Sequence, residues 1–236
     1  MKEVIVITGS SRGIGAATAL LAARQGYAVC VNYVRDAQAA GELCARIVAE
    51  GGEAIAVQAD VSEEADVARL FDELDARLGT LTALVNNVGV LERKCRLADM
   101  SVQRLERVLR TNVISYFLCC QQAVRRMSTA NGGQGGRIVN VSSVAARIGS
   151  PEEYIDYAAS KGAVDTLTLG LAKEVAAEAS ASTACAPASS TRTSTLRAAN
   201  RAGWRAWPRA CPCSGAASRR KSPTPSSTCW GRARPM

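Results

Sequence analysis

Lys2-Glu3-Val4-Ile5-Val6-Ile7-Thr8-Gly9-Ser10-Ser11-Arg12-Gly13-Ile14-Gly15 is the stretch around which this chain is organised. The apolar run Val4 to Ile7 predicts a short buried strand, the glycines at 9, 13 and 15 a tight turn, and the alanine-rich segment Ala16 to Arg24 a helix. A glycine turn between strand and helix lets main-chain amides approach a ligand closely, and the positive end of the helix dipole favours an anion there. The turn is therefore a candidate pyrophosphate cradle, although its Gly-x-x-x-Gly-x-Gly spacing differs from the commoner Gly-x-Gly-x-x-Gly.

Moving outward, strand and helix patterns alternate. Ala28 to Val34 predicts a second strand, Ala37 to Glu50 a helix ended by Gly51-Gly52, and Ala54 to Gln58 a third strand. Ser62 is expected to open the next helix with Glu63 and Glu64 in its first turn. Leu81 to Val85 follows as a strand, Val102 to Met127 as one long helix, Arg137 to Val141 as a fifth strand and Tyr154 to Glu178 as another long helix. Such alternation predicts an α/β fold, a doubly wound parallel sheet of the Rossmann type forming a single domain. In such sheets ligands bind beyond the carboxyl ends of the strands.

The net charge of +8 does not describe this domain. Ten of the 29 basic residues and none of the 21 acidic ones lie at 179–236, as do all three tryptophans and every proline except Pro151. Residues 1–178 thus carry a slight negative balance and form the expected catalytic unit. The segment 179–236 reads as a basic, low-complexity tail without strand or helix period. Nine cysteines without regular ligand spacing, in a chain lacking histidine, argue against a zinc site and for reduced, buried thiols. No apolar run is long enough to span a bilayer, which points to a cytoplasmic protein.

Several strand ends carry informative residues. Arg12 in the first turn and Asn32, Tyr33 and Arg35 after the second strand offer two guanidinium groups, which suit a ribose 2′-phosphate, so NADP(H) is expected over NAD(H). Asp36 is the competing acceptor for a free 2′-hydroxyl. Tyr157-Ala-Ala-Ser-Lys161 sets a phenol and an ammonium four apart, on one face of a helix.

Thr8-Gly9-x-x-x-Gly13-Ile14-Gly15, Asp60-Val61, Asn86-Asn87-Val88-Gly89, Asn112, Ser143 and Tyr157-x-x-x-Lys161, in that order, resemble the short-chain dehydrogenase/reductase family. The resemblance covers roughly Lys2 to Glu178 and is greatest to bacterial 3-oxoacyl-carrier-protein reductases and sugar dehydrogenases. It implies hydride transfer between a nicotinamide and a carbonyl or secondary alcohol. Tyr157 would exchange the proton, tuned by the positive charge of Lys161, and Ser143 would hydrogen-bond the substrate oxygen. Asn112 would support a water relay to the lysine. The cofactor contacts implied are Thr8, Gly9, Ser11, Arg12, Gly13, Ile14, Gly15, Asn32, Tyr33, Arg35, Asp60, Val61, Asn87, Val88, Gly89, Tyr157 and Lys161, with Asp60 equally suited to capping the next helix. Val88 stands where the family has alanine. A homo-oligomer, dimer or tetramer, formed through the two long helices is also implied.

The family's later elements are not legible from Ala179 onward. Back-translated with GC-rich codons and read one base earlier, Ala186 to Ser194 yields Arg-Pro-Gly-Ile-Ile-Asp-Thr-Asp-Ile, the family's Pro-Gly turn, and Arg219 to Trp230 yields an amphipathic helix. The tail is therefore expected to be an out-of-frame remnant. That reading predicts an unpaired sheet edge, poor solubility and weak or absent turnover. Two alternatives stand beside the oxidoreductase: a dinucleotide-binding protein without turnover, and, remotely, a nucleic-acid binder using the basic residues with Trp204, Trp207 and Trp230.

Overall fold

The computed structural model describes residues 2–178 and 181–188. Its strands are β1 (Val4–Ile7), β2 (Ala28–Tyr33), β3 (Glu53–Gln58), β4 (Ala83–Asn86), β5 (Gly136–Ser143) and β6 (Ala181–Ala188). Between them lie α1 (Gly13–Arg24), α2 (Ala37–Ala49), α3 (Glu64–Arg77), α4 (Val102–Leu109), α5 (Ser115–Met127), the short α6 (Ala145–Ile148) and α7 (Ile155–Glu174). All strands pair in parallel, in the order β3-β2-β1-β4-β5-β6. The order reverses between β1 and β4, so the crevice of a doubly wound sheet opens where β1 and β4 end.

Burial on both faces explains the continuous apolar run of β1. Val4 and Val6 join Cys30, Leu84 and Ile138 beneath Leu70, Phe71 and Leu74 of α3 and Cys119 and Met127 of α5. Ile5 and Ile7 point the other way, with Val29, Val31 and Val85, against Ala19 and Ala22 of α1 and Leu43 and Ile47 of α2. Cys30, Cys119 and Cys120 are buried, and desolvation pushes the Cys30 and Cys120 thiols up to about 12. No helix among the described residues is long and apolar enough to cross a membrane.

Four expectations change. The fourth strand begins at Ala83; Thr82 before it is tied to Val4 by both side chain and main chain, its hydroxyl receiving from Val4 N–H at 2.9 Å and donating to Val4 O at 3.0 Å while its own N–H donates to Val4 O at 2.9 Å. Ser62 does not cap α3, whose acidic first turn is Glu64 and Asp66; the Ser62 N–H and hydroxyl both donate to Asp60 Oδ1, at 3.0 and 2.7 Å. The long helix predicted over 102–127 is broken by one wide π turn, Arg110–Ile114. The helix expected to begin at Tyr154 and run to Glu178 instead starts at Ile155 and tightens into a 3₁₀ turn, Val175–Glu178.

A further correction concerns the tail. Ala181–Ala188 forms β6 and pairs with β5 in parallel from Gly136↔Ala181 to Ser143↔Ala188, so the edge of β5 is covered. Its residues, Ala-Ser-Thr-Ala-Cys-Ala-Pro-Ala, carry no strand period. A parallel ladder needs main-chain groups only, and the open edge of β5 supplies them. The tryptophans, the basic residues and the shifted-frame helix expected at 189–236 lie outside the described residues.

Candidate active site

The glycine turn is built from inside. Gly9 and Gly13 have positive φ, +60° and +62°, the left-handed region that glycine enters without penalty. A methyl on Gly15 would meet Ser10 Cα at 2.7 Å and both Gly9 O and Asn87 Nδ2 at 2.8 Å, whereas one on Gly13 would meet nothing within 4 Å. Gly15 is therefore required for packing, and Gly13 leaves open space above the helix. Arg12, the N-cap residue of α1, makes no side-chain cap, so the first amides of this helix face outward without one. A pyrophosphate fits this geometry.

Buried polar side chains hold the turn in place. Asn32 is wholly buried; its Oδ1 accepts from Gly9 N at 3.0 Å and its Nδ2 donates to Ala59 O at 2.9 Å. Its amide is thus consumed within the protein, linking the glycine turn to the end of β3. Thr8 Oγ1 accepts from Asn87 N and Val88 N at 3.0 and 3.3 Å, and Asn87 Nδ2 donates to Thr8 O and Gly9 O. Thr8 and Asn87 therefore lock the turns after β1 and β4 together. A Val88 methyl lies 2.8 Å from where a Gly9 Cβ would stand, so the valine closes over the glycine instead of projecting freely.

The remaining cofactor candidates divide by exposure. Arg12, Ile14 and Arg35 are exposed, and Ser11 and Tyr33 half-buried. Asp36 caps α2, accepting from Ala39 N at 3.0 Å. The carboxylate of Asp60 is engaged by Ser62 in a turn ahead of α3, whose N-cap position is Glu63, so it does not cap that helix. Val61 is buried in the core with Val67 and Leu70, which leaves only its main chain for a ligand.

Lys161, Asn112 and Gly89 converge beside this cleft. A Gly89 Cβ would stand 3.7 Å from both Lys161 Nζ and Asn112 Oδ1. Asn112, within the π turn, clamps the loop after β4, accepting from Val90 N at 2.7 Å and donating to Val90 O at 3.0 Å. Lys161 is buried on α7, its Nζ donating to Val141 O of β5 at 2.8 Å and lying 5.9 Å from the centre of the Tyr157 ring. Tyr157 and Lys161 thus share the face of α7 that the spacing predicts. Ser143 ends β5 half-buried, and its Oγ accepts from Ala145 N at 3.2 Å.

Two contributors escape the sequence reading. Ser160, inside Tyr157-x-x-x-Lys161, donates to Tyr157 O at 2.7 Å and accepts from Asn112 Nδ2 at 3.1 Å, tying the π turn to α7. Tyr116 is buried and its hydroxyl lies 3.1 Å from Lys161 Nζ. The only hint of the latter is an aromatic residue one helical turn after Asn112.

A glycine cradle at the switch point of a parallel sheet, beside a helix bearing Tyr157 and Lys161, defines a dinucleotide-dependent dehydrogenase or reductase. The family model described as short chain dehydrogenase matches residues 3–202. The uncharacterized oxidoreductase YgfF of Escherichia coli is 55% identical over 174 residues, 74% of this chain and 70% of its own. A 3-oxoacyl-[acyl-carrier-protein] reductase of Synechocystis is 38% identical over 175 residues, 74% of this chain and 69% of its own. Among solved structures, a dehydrogenase/reductase of Sinorhizobium meliloti superposes with TM-score 0.75 at 31% identity, covering 80% of this chain and 72% of that one. The chain belongs to the short-chain dehydrogenase/reductase family, whose members are NAD(P)-dependent oxidoreductases acting on small molecules.

Proposed function

We propose that this chain is an NADP(H)-dependent reductase of a carbonyl group, or the reverse oxidant of a secondary alcohol, with Tyr157 as proton donor and acceptor. The observation that carries the reading is the convergence of Asn112 Oδ1 and Lys161 Nζ, each 3.7 Å from where a Cβ on Gly89 would stand, with Lys161 Nζ 5.9 Å from the centre of the Tyr157 ring. A bound nicotinamide dinucleotide supplies the hydride. The α1 amides and the Gly9 to Gly15 turn hold its pyrophosphate. Lys161 lines the cofactor cleft, its ammonium 5.9 Å from the centre of the Tyr157 ring. Ser143 donates a hydrogen bond to the substrate oxygen as negative charge develops there. Asn112 keeps the loop after β4 against Lys161.

Preference for NADP(H) rests on Arg12 and Arg35, both exposed at the expected ribose end, while the competing Asp36 carboxylate is taken by the α2 N-terminus. The exposed Leu109, Ile114, Phe117 and Leu169 on the α4 to α5 helix and on α7 support a cytoplasmic homo-oligomer, dimer or tetramer, built through these helices. Titration with NADPH and NADH, followed by a panel of carbonyl substrates, tests the assignment. Absence of NADPH binding ends it.

A second reading, dinucleotide binding without turnover, is favoured by one observation: the YgfF match accounts for 74% of this chain. The out-of-frame origin of 179–236 belongs with it, and sequencing the encoding DNA decides that point. NADPH binding with no reduction of any carbonyl in the panel would select this reading.

A further inference from the structure

Tyr116 is one of the largest fully buried side chains in the molecule, at 1% exposure, yet it carries a polar atom that must find partners. Its hydroxyl lies 3.1 Å from Val88 O, after β4, and 3.0 Å from Val141 O, in β5, so its single proton serves one of two carbonyls. The oxygen is then left to accept, and Lys161 Nζ donates to it at 3.1 Å. The same ammonium stands 4.9 Å from the centre of the Tyr116 ring. Val141 O, which Lys161 also reaches at 2.8 Å, gives the charge a second oxygen beside the hydroxyl.

We propose that Tyr116 is a positioning residue for Lys161, fixing the ammonium against the end of β5 so that it stays beside Tyr157 and the cofactor cleft. The inference rests on the role proposed above for Lys161. Without the hydroxyl, the ammonium keeps Val141 O but loses one acceptor, and the long lysine stem regains freedom to swing. Tyr116 touches neither substrate nor cofactor in this scheme and acts wholly through Lys161.

The test is a double-mutant cycle of the full chain, Tyr116→Phe, Lys161→Met and the pair, read by NADPH fluorescence titration and by turnover of the best carbonyl substrate. Tyr116→Phe is expected to weaken NADPH binding or slow turnover by about tenfold in the parent and by less than about twofold when Lys161 is already methionine. Where turnover is too slow to follow, the NADPH cycle alone carries the comparison. Equal losses in both backgrounds overturn the proposal, since a residue that only packs is indifferent to Lys161. An impaired Lys161→Met beside an unaffected Tyr116→Phe overturns the role of Tyr116 alone. A Lys161→Met protein that binds and turns over like the parent removes the Lys161 reading and this inference with it. Should Tyr116→Phe fail to fold, ¹⁵N-lysine NMR of the unaltered chain decides: a protected ammonium signal with contacts to a tyrosine ring, absent from Lys161→Met, is expected, and lack of such a signal overturns the proposal.

Discussion

Arg104 and Asp156 form a buried, two-pronged ion pair, with Nε to Oδ2 at 2.7 Å and Nη2 to Oδ1 at 3.1 Å. Arg104 Nη1 also donates to Arg93 O at 2.6 Å, so one guanidinium joins α4, the loop after β4 and the start of α7 immediately before Tyr157. Glu153 reinforces the strap, accepting from Cys95 N and pairing with Lys94. Burial pushes the Asp156 carboxyl upward, but the Arg104 hydrogen bonds and the Tyr157 amide outweigh it and hold the group below its ordinary range. The stabilisation is therefore complete above the unfolded aspartate value of about 3.9 and is lost as pH falls through the lower folded value. Arg104→Met should cost about 3 kcal/mol at pH 7, because it strands a buried carboxylate. Arg104→Met with Asp156→Asn should recover part of that loss and flatten the acid side of the stability curve. Urea titrations between pH 3 and 7 measure both.

Gly15→Ala should remove NADPH binding. The added methyl meets Ser10 Cα and Gly9 O at under 3 Å, and neither backbone atom can move without opening the turn. Overpacking of this kind costs about 1–3 kcal/mol, so a lowered melting temperature should accompany the loss. Gly41→Ala, at a site with nothing within 4 Å, serves as the control and should leave binding unchanged.

Tyr157→Phe should slow carbonyl reduction by about a hundredfold while leaving the NADPH dissociation constant within about threefold, since it deletes proton transfer and little else. Ser143→Ala should lose a similar factor through the hydrogen bond to the developing oxyanion. Stopped-flow single turnovers, following NADPH absorbance, separate these effects from product release. An unchanged rate in either variant would remove that residue from the mechanism.

Arg35→Ala should raise the NADPH dissociation constant by about tenfold with little change for NADH, as expected when one charge-assisted contact to a 2′-phosphate is lost. Arg12→Ala should act in the same direction. Equal losses for the two cofactors would show that the arginines do not read the phosphate.

Much of this was legible from one dimension because the informative residues are local. The glycine turn, the alternating apolar segments and the four-residue spacing of Tyr157 and Lys161 each depend on neighbours within a turn or two. What escaped depends on partners far along the chain. The Thr82 hydroxyl bonds to Val4, 78 positions away, and Tyr116 acquires its significance from Lys161, 45 positions on. Asp36 is ambiguous in sequence because the same carboxylate chemistry serves a ribose or a helix end, and only its bond from Ala39 N distinguishes them. β6 left no pattern in its small residues, since the edge of β5 offers a ladder that is indifferent to side chains.

The π turn at Arg110–Ile114 fits one more residue into its coil than an α-helix would. Each residue of an α-helix advances the side-chain direction by about 100°. Run as an uninterrupted α-helix with every residue kept, the segment would swing everything beyond it through that angle relative to the preceding half. Tyr116 would leave the lysine, and the Cys119, Ala123 and Met127 stripe would turn off the sheet. The wide turn thus acts as a phase adjuster: it lets a single rod present Arg104 to Asp156 and Tyr116 to Lys161, both on α7, an alignment that no uninterrupted α-helix of this sequence would keep.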